Sequence, residues 1–196
     1  IADSDTPVEI ELGTMVYERW IVDQLADMGL TTKDIDYAAY SHLHFDHVGA
    51  ANAFLDSEVL MQRKEWEAAF SEGIPYADTS LFDKLKDANV NLIDGDHDVF
   101  GDGSVQLIST PGHTPGHQVL LLQLENTGPI LLSGDLFHTR ANRALRRVPH
   151  FNYNKEQTAE SMARMEKLLA DTGATLWIEH DMELADSLEK APAYYD

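Results

Sequence analysis

Cysteine is absent from this 196-residue chain. That excludes a disulfide framework and thiolate chemistry, and it leaves any metal to be held by histidine and carboxylate. Basic residues are scarce: 14 Lys and Arg stand against 34 Asp and Glu, a formal net charge of −20 with histidine neutral. A surface this acidic repels phosphate backbones, so no nucleic-acid partner is expected, and the charge reads as solubility or adaptation to a salty habitat. No apolar run reaches the roughly 20 residues of a membrane span. The longest, "QVLLLQL" and "PILLSG", are strand-sized, so no membrane partner is expected either. Internal repeats and low-complexity tracts are lacking. Glycine and proline are modest at 12 and 7, and hydrophobic residues make up 43%, a composition that argues against disorder. The length suits one domain, residues 1–196, with a real core. The chain opens at Ile1 with neither Met nor a signal-peptide pattern, and the expected compartment is the cytoplasm.

Strands and helices are expected to alternate. "TMVYERWIVDQLADMGL" carries Val16, Trp20, Ile21 and Leu25 at helical spacing and ends at Gly29. "DYAAYS" reads as a short buried strand and "EVLMQ" as another. "GAANAFL", "RKEWEAAFSE" and "TSLFDKLKDA" read as helices. Strands "VNLI", "SVQLIST", "HQVLLLQL" and "PILLSG" follow, two of them joined by a hairpin at "NTGP". Asn154 with Gln157 caps a helix running to about Asp171, with Ala159, Met162, Met165 and Leu169 on one face. Gly173 ends it, and "TLWIE" is the last strand. The fold class is therefore α/β in layers.

Polar residues gather where these strands end. "SHLHFDHVGA" places His42, His44, Asp46 and His47 directly after the first strand, though the chain holds only nine histidines. In an extended segment His42 and His44 point to the same side and can grip one ion. Asp46 and His47 lie where the chain turns, so they aim at a second point nearby. "PGHTPGH" brings His113 and His117 to the end of another strand, "PILLSG" ends at Asp135, and "TLWIE" ends at His180. Ligands on strand ends clustering at one edge of a layered fold is a common arrangement. Two neighbouring cations need a negative bridge, and Asp135 fits that role. His113 and His180 complete a set of five histidines and two aspartates. Singly, each has an ordinary structural explanation: His117 or His138 as a satisfied buried histidine, Asp135 as a turn residue.

"SHLHFDH", "TPGHTPGH", "SGD" and "EHD" resemble the metallo-β-lactamase-fold hydrolases, marked by H-x-H-x-D-H followed by His, Asp and His. Within them the chain is most similar to the N-acyl-homoserine lactonases, the quorum-quenching group, from about Ile10 onward. The resemblance implies an αβ/βα sandwich with a dinuclear site at one edge, occupied by two divalent ions, zinc foremost, with Mn, Fe and Co able to fill similar sites. One ion would take His42, His44 and His113; the other Asp46, His47 and His180; Asp135 would bridge them. Their spacing would be roughly 3.5–4 Å, with a bridging water lowered in pKa to hydroxide that attacks a lactone carbonyl. Asp46 and Asp135, as ligands, and His138 are the candidate catalytic residues.

Two departures accompany the resemblance. Lactonases of this group usually carry a tyrosine three residues after the bridging Asp, where this chain has His138 in "GDLFH". His138 can hydrogen-bond the reacting oxygen or support Asp135, and both readings stand. Family members also have several strands, with an Asp-Thr-Gly turn, before the region that "DSDTPVEIELGTMVYERW" matches. Their lack predicts an unpaired apolar sheet edge and an N-terminally incomplete domain. His117 reads as structural, and His97 has no argued role. His150, with Phe151 and Tyr153, falls in the substrate-lining segment, or forms ordinary core aromatics.

The expected partner is a small-molecule substrate, foremost an N-acyl-homoserine lactone; a homodimer is left open. The alternative is another ester, a thioester or a β-lactam, and "RANRALRR" could serve the carboxylates of a glutathione thioester. Di-iron members usually replace one histidine of this set by an acidic residue, so the all-histidine pattern speaks against them.

Overall fold

A computed structural model describes residues 8–10, 13–15, 19–71 and 73–196. In chain order the elements are β1 (Val8–Ile10), β2 (Gly13–Met15), α1 (Ile21–Asp27), β3 (Tyr37–Ala39), β4 (Glu58–Gln62), α2 (Arg63–Ser71), β5 (Asn89–Ile93), β6 (His97–Asp98), β7 (Val105–Ser109), β8 (Gln118–Leu124), β9 (Gly128–Leu132), α3 (Arg140–Ala144), α4 (Lys155–Thr172), β10 (Thr175–Trp177) and α5 (Met182–Ser187). β1 and β2 form an antiparallel pair. The larger sheet has the order β10-β9-β8-β7-β6 and the smaller β3-β4-β5. β3, β4 and β5 run parallel. β7–β8 and β8–β9 pair antiparallel, while β10 joins β9 in parallel. β7, β9 and β10 therefore end at the same edge of the larger sheet.

Packing arranges the sheets between helices. α4 lays Met162, Met165 and Leu169 against Ile108, Val119, Leu121 and Leu131 of the larger sheet. On the opposite side Val59 and Met61 of β4 pack with Ala69 of α2, Phe82 and Leu85. Leu60 and Ile93 meet Leu107 between the sheets, where each buried side chain of this size contributes about 1.5–3 kcal/mol. The layers are helix, sheet, sheet, helix: the αβ/βα sandwich. A polar tie crosses the same layer, Gln62 Nε2 donating to Gln118 Oε1 at 3.1 Å, and Gln118 Nε2 donating to the Tyr40 carbonyl at 2.9 Å.

Several local expectations are met. Asn154 accepts from Gln157 N at the start of α4, and Gly173 closes it in the left-handed region at φ 69°; glycine there carries no Cβ penalty. Others are corrected. The helix expected from Thr14 is shorter: Thr14 and Met15 belong to β2, and α1 begins at Ile21, while Val16 lies outside the described residues. "GAANAFL" yields only one 3-10 turn, Ala51–Ala53, and "TSLFDKLKDA" two, Thr79–Leu81 and Asp83–Asp87. These runs are too short to form a stable helix without an extended packed face. Ala159 is exposed and Thr158 is the buried residue instead. β3 is not buried: it is paired on one side only among the described residues, and Tyr37 is 43% exposed.

Candidate active site

The loop after β3 leaves the smaller sheet at Ser41 and turns at 45–47, where His47 N donates to the His44 carbonyl at 3.1 Å. His42 and His44 thus stay extended and converge: His42 Nε2 is 3.0 Å from His44 Nδ1. The loop after β7 adds His113, whose Nε2 is 3.2 Å from His42 Nε2 and 3.0 Å from His44 Nδ1. Asp135, directly after β9, brings Oδ2 to 3.2 Å from His113 Nε2 and 3.9 Å from His42 Nε2. A tetrahedral zinc with donors about 2.0–2.1 Å away needs donor separations of roughly 3.3 Å, and these four atoms match it. His42, His44, His113 and Asp135 are one group able to hold a metal ion; Asp46, His47 and His180 are a second.

Asp135 faces both. While Oδ2 meets the first group, Oδ1 lies 3.1 Å from His47 Nε2 and 2.9 Å from His180 Nε2. Asp46 Oδ2 stands 3.7 Å from each of those nitrogens. His47 Nε2 and Asp135 Oδ1 are buried, yet neither makes a directed hydrogen bond among the described residues. Buried polar atoms are rarely left so unless an ion or water satisfies them. The donor set and these orphaned atoms fit two divalent cations.

The electrostatics agree. Burial, reinforced by repulsion from neighbouring histidines, pushes His42 well below its ordinary value and His44 down to about 3, so both stay neutral and able to ligate. Burial alone would lower His47, but contacts with Asp135 and Glu179 override it and raise it to about 10. Asp135 raises His180 as well. Burial opposes charge on Asp135, but His113, His138, His180 and His47 hold it far below the carboxylate range. A cation and a proton compete for His47 Nε2, so metal uptake releases protons and strengthens as pH rises.

Contacts behind the donors orient their rings, a common device in metal sites. Ser41 Oγ is 3.1 Å from His42 Nδ1, His113 Nδ1 donates to Asn152 Oδ1 at 3.2 Å, and His47 Nδ1 lies 3.4 Å from Glu179 Oε2. Sequence reasoning missed Ser41, Asn152 and Glu179, because nothing local distinguishes them. His117 is an anchor rather than a ligand: Nε2 accepts from Asp135 N at 3.0 Å while Nδ1 faces Thr110 Oγ1 at 2.8 Å. His97 lies in β6 and belongs to neither metal-binding group, and His150 lines the cavity over the site.

Glu65 was also missed. It is 1% exposed, in the first turn of α2, and accepts from Leu43 N, Gly116 N and Thr114 Oγ1 at 3.0, 2.9 and 2.7 Å. One carboxylate thus clamps the two histidine loops together. Gly116 makes this possible, since a Cβ there would lie 2.3 Å from Glu65 N. Burial raises Glu65, partly offset by those three donors. Glu65→Ala is expected to strand three donors at about 1–3 kcal/mol each, lowering the melting temperature by on the order of 10 °C; Glu65→Gln is expected to lose less. A thermal melt of Glu65→Ala within 2 °C of the parent (roughly 1 kcal/mol at this size) would remove the clamp.

Comparison with known proteins agrees with this geometry. The family model of the Metallo-beta-lactamase superfamily matches residues 4–173. An N-acyl homoserine lactonase of Bacillus sp is 35% identical over 183 residues, covering 93% of this chain and 70% of that protein. The N-acyl homoserine lactonase AttM of Rhizobium radiobacter is 36% identical over 185 residues, covering 91% and 70%. A solved N-acyl homoserine lactone hydrolase, with the product N-hexanoyl-L-homoserine bound at its catalytic metal center, superposes with a TM-score of 0.82 at 33% identity, covering 94% of this chain and 70% of that one. The chain belongs to the metallo-beta-lactamase superfamily. It is a hydrolase with a histidine–aspartate centre for divalent metal. Among the described residues no helix is long and apolar enough to cross a membrane.

Proposed function

We propose that this protein opens the lactone ring of N-acyl homoserine lactones at a dinuclear centre, residues 1–196 acting as one domain. The observation that carries the reading is the division of Asp135, one oxygen toward His42 and His113 and the other toward His47 and His180. His42, His44 and His113 would hold one ion, Asp46, His47 and His180 the other, and Asp135 would bridge; zinc suits the nitrogen and oxygen donors. Such ions supply a Lewis acid for a carbonyl oxygen and activate water near neutral pH.

The chain's own residues do the rest. Asp46 and Asp135 set the negative charge of the centre, and Glu179 and Asn152 hold His47 and His113 in the tautomer that presents Nε2. His138 lies beside Asp135, with Nε2 at 3.2 Å from Oδ2, and lines the same cavity of about 340 Å³ as Asp46, Asp135 and His180. It is placed to donate to an oxygen gaining charge. The lactonase relatives support lactones as the substrate class. The arginines of α3 speak against a glutathione thioester: Arg140 pairs with Asp181 at 2.8 Å and Arg143 with Glu166 at 2.7 Å, so two of the four cations are already neutralised.

The test is turnover by the metal-loaded protein on panels of acyl-homoserine lactones, β-lactams and thioesters. Lactones are expected to lead by at least on the order of 100-fold in kcat/KM, about 2.7 kcal/mol of transition-state preference. A leading thioester or β-lactam would overturn the assignment.

A further inference from the structure

The core-facing side of α4 is apolar through Met162, Met165 and Leu169, yet one turn earlier the fully buried residue is Thr158, 0% exposed. A helical threonine commonly turns its hydroxyl back on the carbonyl four residues before it. Thr158 Oγ1 does so, donating to the Asn154 carbonyl at 2.8 Å. That alone would be ordinary. The same oxygen also accepts from Asn152 Nδ2 at 3.1 Å, and Asn152 Oδ1 stands 3.2 Å from His113 Nδ1. Three consecutive hydrogen bonds thus link a main-chain carbonyl at the start of α4 to a metal-binding histidine.

The chain of bonds has only one direction. A carbonyl can only accept, so that of Asn154 takes the single hydroxyl proton of Thr158. With its proton committed, Thr158 Oγ1 can only accept, and it must face the NH₂ of Asn152 rather than the amide oxygen. The two ends of an amide have the same shape, and such neighbours decide which way it lies. Asn152 Oδ1 is left toward His113, where it needs a proton on Nδ1. A neutral imidazole carries one ring proton, so Nε2 is bare, and Nε2 is the atom that faces His42, His44 and Asp135. The rival arrangement is close at hand. A proton on Nε2 would be donated to Asp135 Oδ2, 3.2 Å away, and would block an ion. Further bonds keep loop and helix in register: Asn154 N donates to the Gly112 carbonyl at 2.9 Å, Tyr153 N to the His113 carbonyl at 3.0 Å and Ser161 Oγ to the Pro111 carbonyl at 2.8 Å. Gly112 admits this approach, since a Cβ there would lie 2.5 Å from Thr158 Oγ1.

We propose that Thr158 is a positioning residue of the metal centre: through Asn152 it holds the His113 proton on Nδ1, so that Nε2 is ready for an ion before one arrives. Thr158 itself touches neither metal nor substrate. Its purpose rests on the metal-centre reading of the site, and its action on the three hydrogen bonds alone. Without the hydroxyl, Asn152 can turn its amide over and donate to His113 Nδ1, leaving the ring proton between Nε2 and Asp135. An ion must then undo that arrangement to bind, so affinity falls although every ligand is present.

Two measurements test this: ¹⁵N NMR of the His113 ring in metal-free protein, which reports the protonated nitrogen directly, and zinc affinity by competition with a chelator. In the parent the Nδ1–H form is expected. Thr158→Val keeps the branched shape without the hydroxyl; the Nε2–H form should become the major one, and zinc affinity should fall about tenfold, the lower end for a residue behind a ligand. Thr158→Ser should restore both, and Thr158→Ala tests the same point should the valine variant fold poorly. Asn152→Asp supplies acceptors at both ends and holds Nδ1–H whatever stands at position 158. In that background, adding Thr158→Val should change zinc affinity by no more than about twofold, a break in additivity that packing alone would not give. His113 remaining Nδ1–H in both the valine and alanine variants overturns the proposal, whatever happens to zinc affinity. A switched proton with zinc affinity within about twofold of the parent, against the tenfold expected, overturns the positioning role. A proton that follows Thr158 in a parent that binds no zinc upholds the relay and overturns the metal-centre reading.

Discussion

Asp135→Asn is expected to leave one ion per chain and to reduce hydrolysis by at least on the order of 10³-fold, with the fold intact. The amide has nearly the same shape, but it has one acceptor oxygen and carries no charge. One of the two histidine groups would then face an NH₂ group that cannot ligate. The group formed by Asp46, His47 and His180 should lose its ion, because His180 and Asp46 have side chains 39% and 30% exposed. The other group keeps three buried histidines. Fold survival follows from the anchoring of this turn through backbone and core: Asp135 N donates to His117 Nε2, and Leu136 and Phe137 are buried with α4. Metal analysis, a thermal melt and turnover on one preparation check all three points. Two ions bound with undiminished turnover would show that Asp135 does not bridge.

His138→Ala is expected to lower kcat and kcat/KM together by on the order of 10²–10³-fold, the scale of a lost hydrogen bond to a developing oxyanion. Neither ring nitrogen of His138 makes a directed hydrogen bond among the described residues, so a donor is uncommitted. The ring stacks on His180 at 5.7 Å and 12° and is flanked by Phe151, which holds it facing the cavity. His138→Tyr should recover much of the loss, since a phenol offers a donor from the same turn. Metal content should stay at the parent level throughout. A fall in occupancy, rescued by excess metal, would instead make His138 a support for Asp135, with which it shares a 3.2 Å contact.

Much of this site is legible from residue order because its geometry is local. His42 and His44 alternate on an extended segment, Asp46 and His47 follow on a turn, and α4 carries its cap at Asn154 and its stop at Gly173. Periods of two and of 3.6 are written into neighbouring residues, and they hold wherever a long strand or helix has a face to bury. The marginal runs at Ala51–Ala53 and Thr79–Asp87 were not legible, since packing on β4 rather than helical propensity decides their conformation.

The two "PGH" tripeptides mark the boundary between sequence and tertiary structure. The two tripeptides look alike, yet the second leads back into a strand and the family resemblance gives the ligand role to His113, so His117 reads from sequence as structural. The tertiary structure separates them: one approaches His42 and His44, while the other receives the backbone of Asp135. Glu65, Asn152 and Glu179 became site residues in the same way, through partners brought together from distant parts of the chain. Sequence alone determined the chemistry available: neutral nitrogens and carboxylates without thiols, on strands that end at one edge. Which atoms meet was decided by loop closure and layer packing, because a donor–acceptor distance between remote residues is a property of the whole fold and of no local pattern.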